Sequence, residues 1–323
     1  MGSGFTPAQY PKRSDGVSLG IAACHIAFVL TPIYLATAVQ SVPLLICLWL
    51  WFGVSMNGLL NLMHECAHYH VFNARRGSDL LGRWILAPLM MTDFDGYRAL
   101  HWAHHRDLGG ADDPKYSYSV DVRRWRLALF IASCLVGIEA FRKFFYQQQY
   151  REGMVGSRSW RWIQRGVVVH GVFFISLVGT ALWMGASDTQ VALTRALVAY
   201  ASVYLYGLMA LTLLFATLRA ISEHQAGPDG PITAGRAALR NLKCGPLGRM
   251  IFGSYGFAEH ATHHWEPAIP YYHLQTATDA LAVRDTHFAP CRGYWVTLTA
   301  QVLRLSSPPP RIAREHRAHP RPT

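Results

Sequence analysis

Residues 42–68 read Val42-Pro-Leu-Leu-Ile-Cys-Leu-Trp-Leu-Trp-Phe-Gly-Val-Ser-Met-Asn-Gly-Leu-Leu-Asn-Leu-Met-His64-Glu-Cys-Ala-His68. From Val42 to about Leu60 the run is apolar, rich in Leu and Trp, and free of charge. That is about the 20 residues a helix needs to cross the hydrocarbon layer. Continuing the helix past Leu60 at about 1.5 Å per residue lifts His64 about 6 Å above the membrane core, and His68 about one turn higher. The stretch is therefore expected to be a spanning helix whose water-side extension carries two histidines on one face.

Working outward, Gln40 and Ser41 make a minimal turn back to a first apolar run, Leu19 to Val39. Ala36-Thr37-Ala38 resembles a signal-peptide cleavage site, but the polar leader before Leu19 and the length of the run favour a membrane anchor. Val167 to Ala186 and Ala196 to Leu218 read as third and fourth spans, joined by a loop containing Asp188 and Arg195. Residues 80–91 are apolar, too short to span, and broken by Arg83 and Pro88, which suits an interfacial or re-entrant segment. Basic and aromatic residues mix over 127–150, as in a helix lying at headgroup level. Composition agrees: 51% of residues are apolar, only 15% are charged, and mean hydropathy is positive. The fold class that follows is an all-α integral membrane protein with four transmembrane helices and a helical cap on one side.

Two further stretches repeat the histidine spacing: His101-Trp-Ala-His104-His105 and His260-Ala-Thr-His263-His264. With four spans, all three boxes fall on one face of the membrane. The fourth span runs out through Glu223 to His224, about 9 Å beyond the hydrocarbon edge by the same helical rise, which adds a ninth candidate ligand. Imidazole suits iron, zinc, copper and nickel, so an oxygen-activating metal centre and a zinc hydrolase site both remain open at this point. Glu65, Asp112, Glu223, Glu259 and Glu266 are placed to hold the second nitrogen of a ligating ring. The six cysteines form no metal-binding pair, and Cys66 points away from the face shared by His64 and His68. His25 and His170 lie within spans and read as packing groups; His70 and His273 flank the boxes.

Of 30 Lys and Arg, only Arg195 falls in a short loop on the side away from the histidines. By the positive-inside tendency the histidine side is cytoplasmic. That orientation accounts for the formal charge of +11 without nucleic acid, for which no motif is present. No haem segment, dinucleotide-binding glycine motif or iron-sulfur cysteine pattern accompanies the boxes, so electrons for any redox chemistry must come from another protein.

The three boxes, in a four-span context and followed by Pro267-Ala-Ile-Pro-Tyr-Tyr272, resemble those of the membrane fatty acid desaturase superfamily over roughly residues 20–290. The resemblance implies two Fe ions held by His64, His68, His101, His104, His105, His224, His260, His263 and His264, with O2 as co-substrate. It further implies a fatty-acyl or lipid-like substrate and an external electron donor: a ferredoxin, a cytochrome or a flavoprotein reductase. Hydroxylation or ketolation on the same scaffold is the nearest alternative, and a zinc-dependent membrane hydrolase, which needs only three or four protein ligands, a more distant one. Trp265-Glu266 stands where the superfamily more often has Leu-Phe, and Ala220 stands where some acyl-CoA desaturases place a water-binding Asn. The expected organisation is a cytoplasmic segment 1–18, a transmembrane and di-iron domain 19–305, and a disordered basic tail 306–323, with both termini cytoplasmic.

Overall fold

A computed structural model describes residues 9–39, 41–110, 112–115, 117, 120–154, 160–224 and 239–303. The tail expected at 306–323 lies outside the described residues. Among those described, the chain is helical throughout, with a single isolated bridge between Leu242 and Cys291.

The first span, α1 (Asp15–Ala36), begins four residues before the apolar run, because Ser14 caps it through Val17 N. The second, α2 (Val42–Ala67), is continuous through the first histidine box. After α3 (Arg75–Leu81), the segment expected to be interfacial continues as a π-helical turn, Gly82–Leu86, and ends at Leu89. α4 (Phe94–Arg106), capped by Asp93, carries the second box. The mixed basic and aromatic stretch divides into α5 (Arg126–Leu135) and α6 (Ile138–Met154).

The third span is α7 (Arg161–Trp183), and the fourth, α8, runs unbroken from Thr189 to His224. Asp188 caps α8 through Val191 N at 2.9 Å, so Arg195, read from the sequence as a loop residue, lies inside the helix. Two π-helical stretches, Ala199–Leu205 and Leu208–Thr212, interrupt the regular winding of α8. α9 (Pro246–Ile251), α10 (His260–Trp265), α11 (Leu274–Ala282) and α12 (Tyr294–Val302) complete the cap.

All four long helices are apolar enough to cross a membrane, and their apolar surface faces largely outward. Val167, Val168, Val172 and Ile175 on α7, like Val42, Leu44 and Ile46 on α2, are exposed, which only a lipid surround makes favourable. Inside, Ile33, Phe52, Met56, Leu177 and Tyr204 join the four spans in one core. Close approach of α2 and α8 requires Gly53. A Cβ there would lie 2.5 Å from Leu211 Cβ, an atom that no side-chain rotation can move. Gly53→Ala is expected to destabilise the detergent-solubilised protein by about 1–3 kcal/mol, read as a lower thermal midpoint. An unchanged midpoint would mean that the helices are not so closely packed.

Candidate metal centre

Each histidine reaches the centre for a local reason. His64 and His68 ride the last turn of α2 and the residue that caps it. His101, His104 and His105 come from the second half of α4, and His224 ends α8. α10 is only six residues long, and a sharp reversal before it aims its rings inward. That reversal places Tyr255 and Gly256 at φ 54° and 73°. At Gly256 a Cβ would meet Leu274 Cδ1 at 2.7 Å, so glycine is required; the Tyr255 hydroxyl is held by His25 Nδ1 at 2.8 Å. The helix is then locked by Asn241, which accepts from Thr262 N and donates to Thr262 Oγ1.

All nine candidate histidines converge. His64, His68, His101, His105 and His263 form one group whose ligating atoms lie within 4.8 Å of one another, and His104, His224 and His264 form a second. His260 joins the second, its ring 4.4 Å from His224 and 4.7 Å from His264. The tandem histidines explain the division. Consecutive residues on a helix point about 100° apart, so His104 faces the second group and His105 the first, while His263 faces the first group and His264 the second. Stacking of His105 on His264, with centroids 4.0 Å apart, joins the two groups.

The donor set fits metal cations. His68 Nε2 and His101 Nε2 face each other at 2.6 Å, His101 Nε2 and His105 Nε2 at 3.0 Å, and His224 Nε2 and His260 Nε2 at 2.6 Å. Metal–imidazole bonds of about 2.0–2.1 Å bring neighbouring ligand nitrogens about 3 Å apart. Moreover, His64 Nε2 and both ring nitrogens of His263 and His264 are buried with no hydrogen-bond partner. Leaving such a group unsatisfied costs about 1–3 kcal/mol, which a bound cation would remove. Burial, reinforced by neighbouring imidazoles and, for His260 and His263, by Lys115, drives His101, His260, His263 and His264 well below the ordinary imidazole value. Burial also takes His104 to about 4 and His105 to about 2. These rings are neutral at pH 7, the state with a lone pair to donate.

The carboxylates sort unevenly. Glu65 holds His64 Nδ1 and His70 Nδ1, each at 2.9 Å, so His70 is tied to the centre through Glu65. Asp112 is exposed; the role expected of it belongs to its neighbour Asp113, buried and 2.8 Å from His104 Nδ1. Glu223 accepts from the Tyr294 hydroxyl at 2.8 Å and stands 4.0 Å from His260 Nδ1. Glu259 is paired with Arg249, and Glu266 makes no hydrogen bond to a box histidine. Cys66 is buried but joins neither histidine group. His25 and His170 are satisfied by Ser55 O and Pro88 O, and His273 bonds Pro11 O. Asp113, Tyr294 and Asn241 escaped the sequence reading. For Asp113 the signal was present, a carboxylate eight residues after the doublet, but its neighbour Asp112 was chosen. Only His105 and His264 are partly exposed, and a cleft of about 270 Å³ lined also by Trp265, His287 and Phe288 reaches them.

Four spans crowned by a buried cluster of histidines at metal-ligand spacing define a membrane protein of the polyhistidine type. The chain belongs to the fatty acid desaturase family, whose model matches residues 41–295. Among curated proteins it is similar to an sn-1 acyl-lipid omega-3 desaturase (ferredoxin) of Nostoc sp. (strain 36), 24% identical over 250 residues. The match covers 72% of this chain and 66% of the relative's length.

Proposed function

We propose that the chain is an iron- and dioxygen-dependent desaturase acting on a fatty-acyl or lipid-like chain. The observation that carries this reading is the division of nine imidazoles into two groups by the tandem histidines. One iron would be held by His64, His68, His101, His105 and His263, and the other by His104, His224, His260 and His264. Iron bound there would supply, from dioxygen and external electrons, the oxidising power to take hydrogen from an unactivated C–H bond. The chain's own part is positional. Glu65 and Asp113 keep the Nδ1 protons of His64 and His104 in place, leaving Nε2 to face the metal. Phe257 and Tyr97, packed on His64 and His101, line the centre with rings that exclude water.

Nine histidines exceed what a zinc hydrolase needs. A separate donor, a ferredoxin as in the relative's name or another small redox protein, would deliver electrons from the histidine side. That side is cytoplasmic in our reading, and both termini with it. The two connections at the opposite helix ends, 37–41 and 184–188, contain no Lys or Arg. Residues 1–18 would then form a cytoplasmic segment and 19–305 the catalytic domain.

The test is product mass from iron-loaded protein supplied with a lipid chain, reductant and dioxygen. Loss of two hydrogens supports desaturation, gain of one oxygen would replace it with hydroxylation, and turnover with zinc alone would refute the oxidative reading.

A further inference from the structure

Trp102 stands inside the second histidine box, on α4, and is 40% exposed. Its indole packs on the ring of His68, with centroids 4.8 Å apart, and on that of His105 at 5.5 Å. Both histidines belong to the five-membered group. Among the described residues, no other exposed large apolar side chain has a ring contact with a candidate ligand. A membrane anchor does not explain the exposure. By the helical rise that set the height of His64, His68 lies about 12 Å above the hydrocarbon edge. The headgroup layer is only about 5–8 Å deep on each side, so an indole packed on His68 faces water.

The surroundings combine aromatic rings with positive charge. Arg98 and Arg106 stand one turn before and one turn after Trp102, on its own face of α4. Arg98 lies over the ring of Tyr69 at 4.4 Å, and Arg75 lies over the same ring at 5.2 Å. Tyr69 is fixed in place: its φ is 61°, a conformation that a bulky residue seldom adopts, and its carbonyl accepts from Lys12 Nζ at 2.7 Å. Residues 10–15, 69–79 and 98–107 supply this face, and they contain six Lys and Arg against three Asp and no Glu. Asp79 and Asp107 are already engaged by Arg98 and Arg106, so the face keeps a net positive charge.

We propose that this face docks the electron donor, an acidic one-electron carrier protein, with Trp102 as the central anchor and the arginines as the rim. Trp, Tyr and Arg are the residues that concentrate in protein interfaces and carry most of their binding energy. A positive rim steers a negative partner to its place. Each docking would oxidise the carrier by one electron and reduce the histidine-bound metal by one, through an indole that touches two of the ligands. Two such electrons and two protons, with one dioxygen and the two hydrogens taken from the substrate chain, make two waters, so the carrier docks twice in each turnover. The electron route rests on the oxidative reading given above; the docking face is tested apart from it.

Binding can be followed by interferometry on the iron-loaded, detergent-solubilised protein, with an acidic [2Fe–2S] ferredoxin as the probe and a basic cytochrome c as its counterpart. The ferredoxin is expected to bind, more weakly as salt rises, and the cytochrome to bind at least about ten-fold less tightly. Trp102→Ala should weaken ferredoxin binding by about ten- to a hundred-fold, and Trp102→Phe, which keeps an aromatic anchor, by less. Because Trp102 also packs on two histidines, the double variant Arg75→Glu, Arg106→Glu reads the same face from its exposed rim. It should slow ferredoxin association by about ten-fold or more and flatten the salt dependence. Ferredoxin binding unchanged in both variants, or cytochrome c bound as tightly as ferredoxin, overturns the proposal. Product formed with dithionite as reductant, while ferredoxin binding ignores both variants, would sink the docking face and spare the oxidative reading. Ferredoxin bound as expected, with no product, would do the reverse.

Discussion

His263→Ala is expected to abolish product formation and to lower the iron content of the purified protein by about half, while the protein stays folded. The ring of His263 lies 4.5 Å from His68, 4.6 Å from His64 and 5.1 Å from His105, at the middle of the five-histidine group. Neither of its nitrogens serves any other structural purpose. Removing a ligand costs more than removing a group that merely orients one, a change that already lowers metal affinity or activity about 10–100-fold. The fold should survive because α10 is held by Asn241 and Thr262, and because Thr262 Oγ1 also meets Thr278 Oγ1 at 2.7 Å. Elemental analysis, turnover and a thermal midpoint make the test. Full iron and full turnover in the variant would remove His263 from the ligand set.

The second large effect is expected at a residue that would touch no metal. Asp113→Asn should lower iron affinity or turnover by about 10–100-fold, whereas Asp112→Asn should leave both unchanged. Asp113 is buried and its two oxygens lie 2.8 and 2.9 Å from His104 Nδ1, fixing the tautomer that turns Nε2 inward. An amide offers one acceptor oxygen where the carboxylate has two, and it lacks the charge that favours a proton on Nδ1. The adjacent Asp112 is exposed. Iron titration of the two variants side by side separates them; equal behaviour would show that the His104 contact does not matter.

Much of this architecture could be read from the chain itself. Spans announce themselves by length and apolar content, and the i, i+3 and i+4 spacing of the boxes is local, so the sequence alone brings the rings to common faces. What could not be read depends on geometry that is not periodic. The turn after α4 decides that Asp113 rather than Asp112 points inward. Two π-helical stretches in α8 shift the register of everything beyond them, so a regular helical projection cannot predict which side chains near Arg219 and Glu223 meet the cap. Tyr294 reaches Glu223 across 71 residues of chain, a distance over which no pattern in the sequence speaks. Arg195 was misplaced because Asp188 starts the helix about two turns before the apolar run does.

The paired histidines carry a last implication. Since His104–His105 and His263–His264 each reach toward both groups, the gap between the two centres is gauged by single peptide units rather than by the packing of separate helices. A backbone shift that loosens one side must drag the other with it. Neither half can therefore shift its backbone on its own, and inserting one residue inside either doublet should disable both at a stroke.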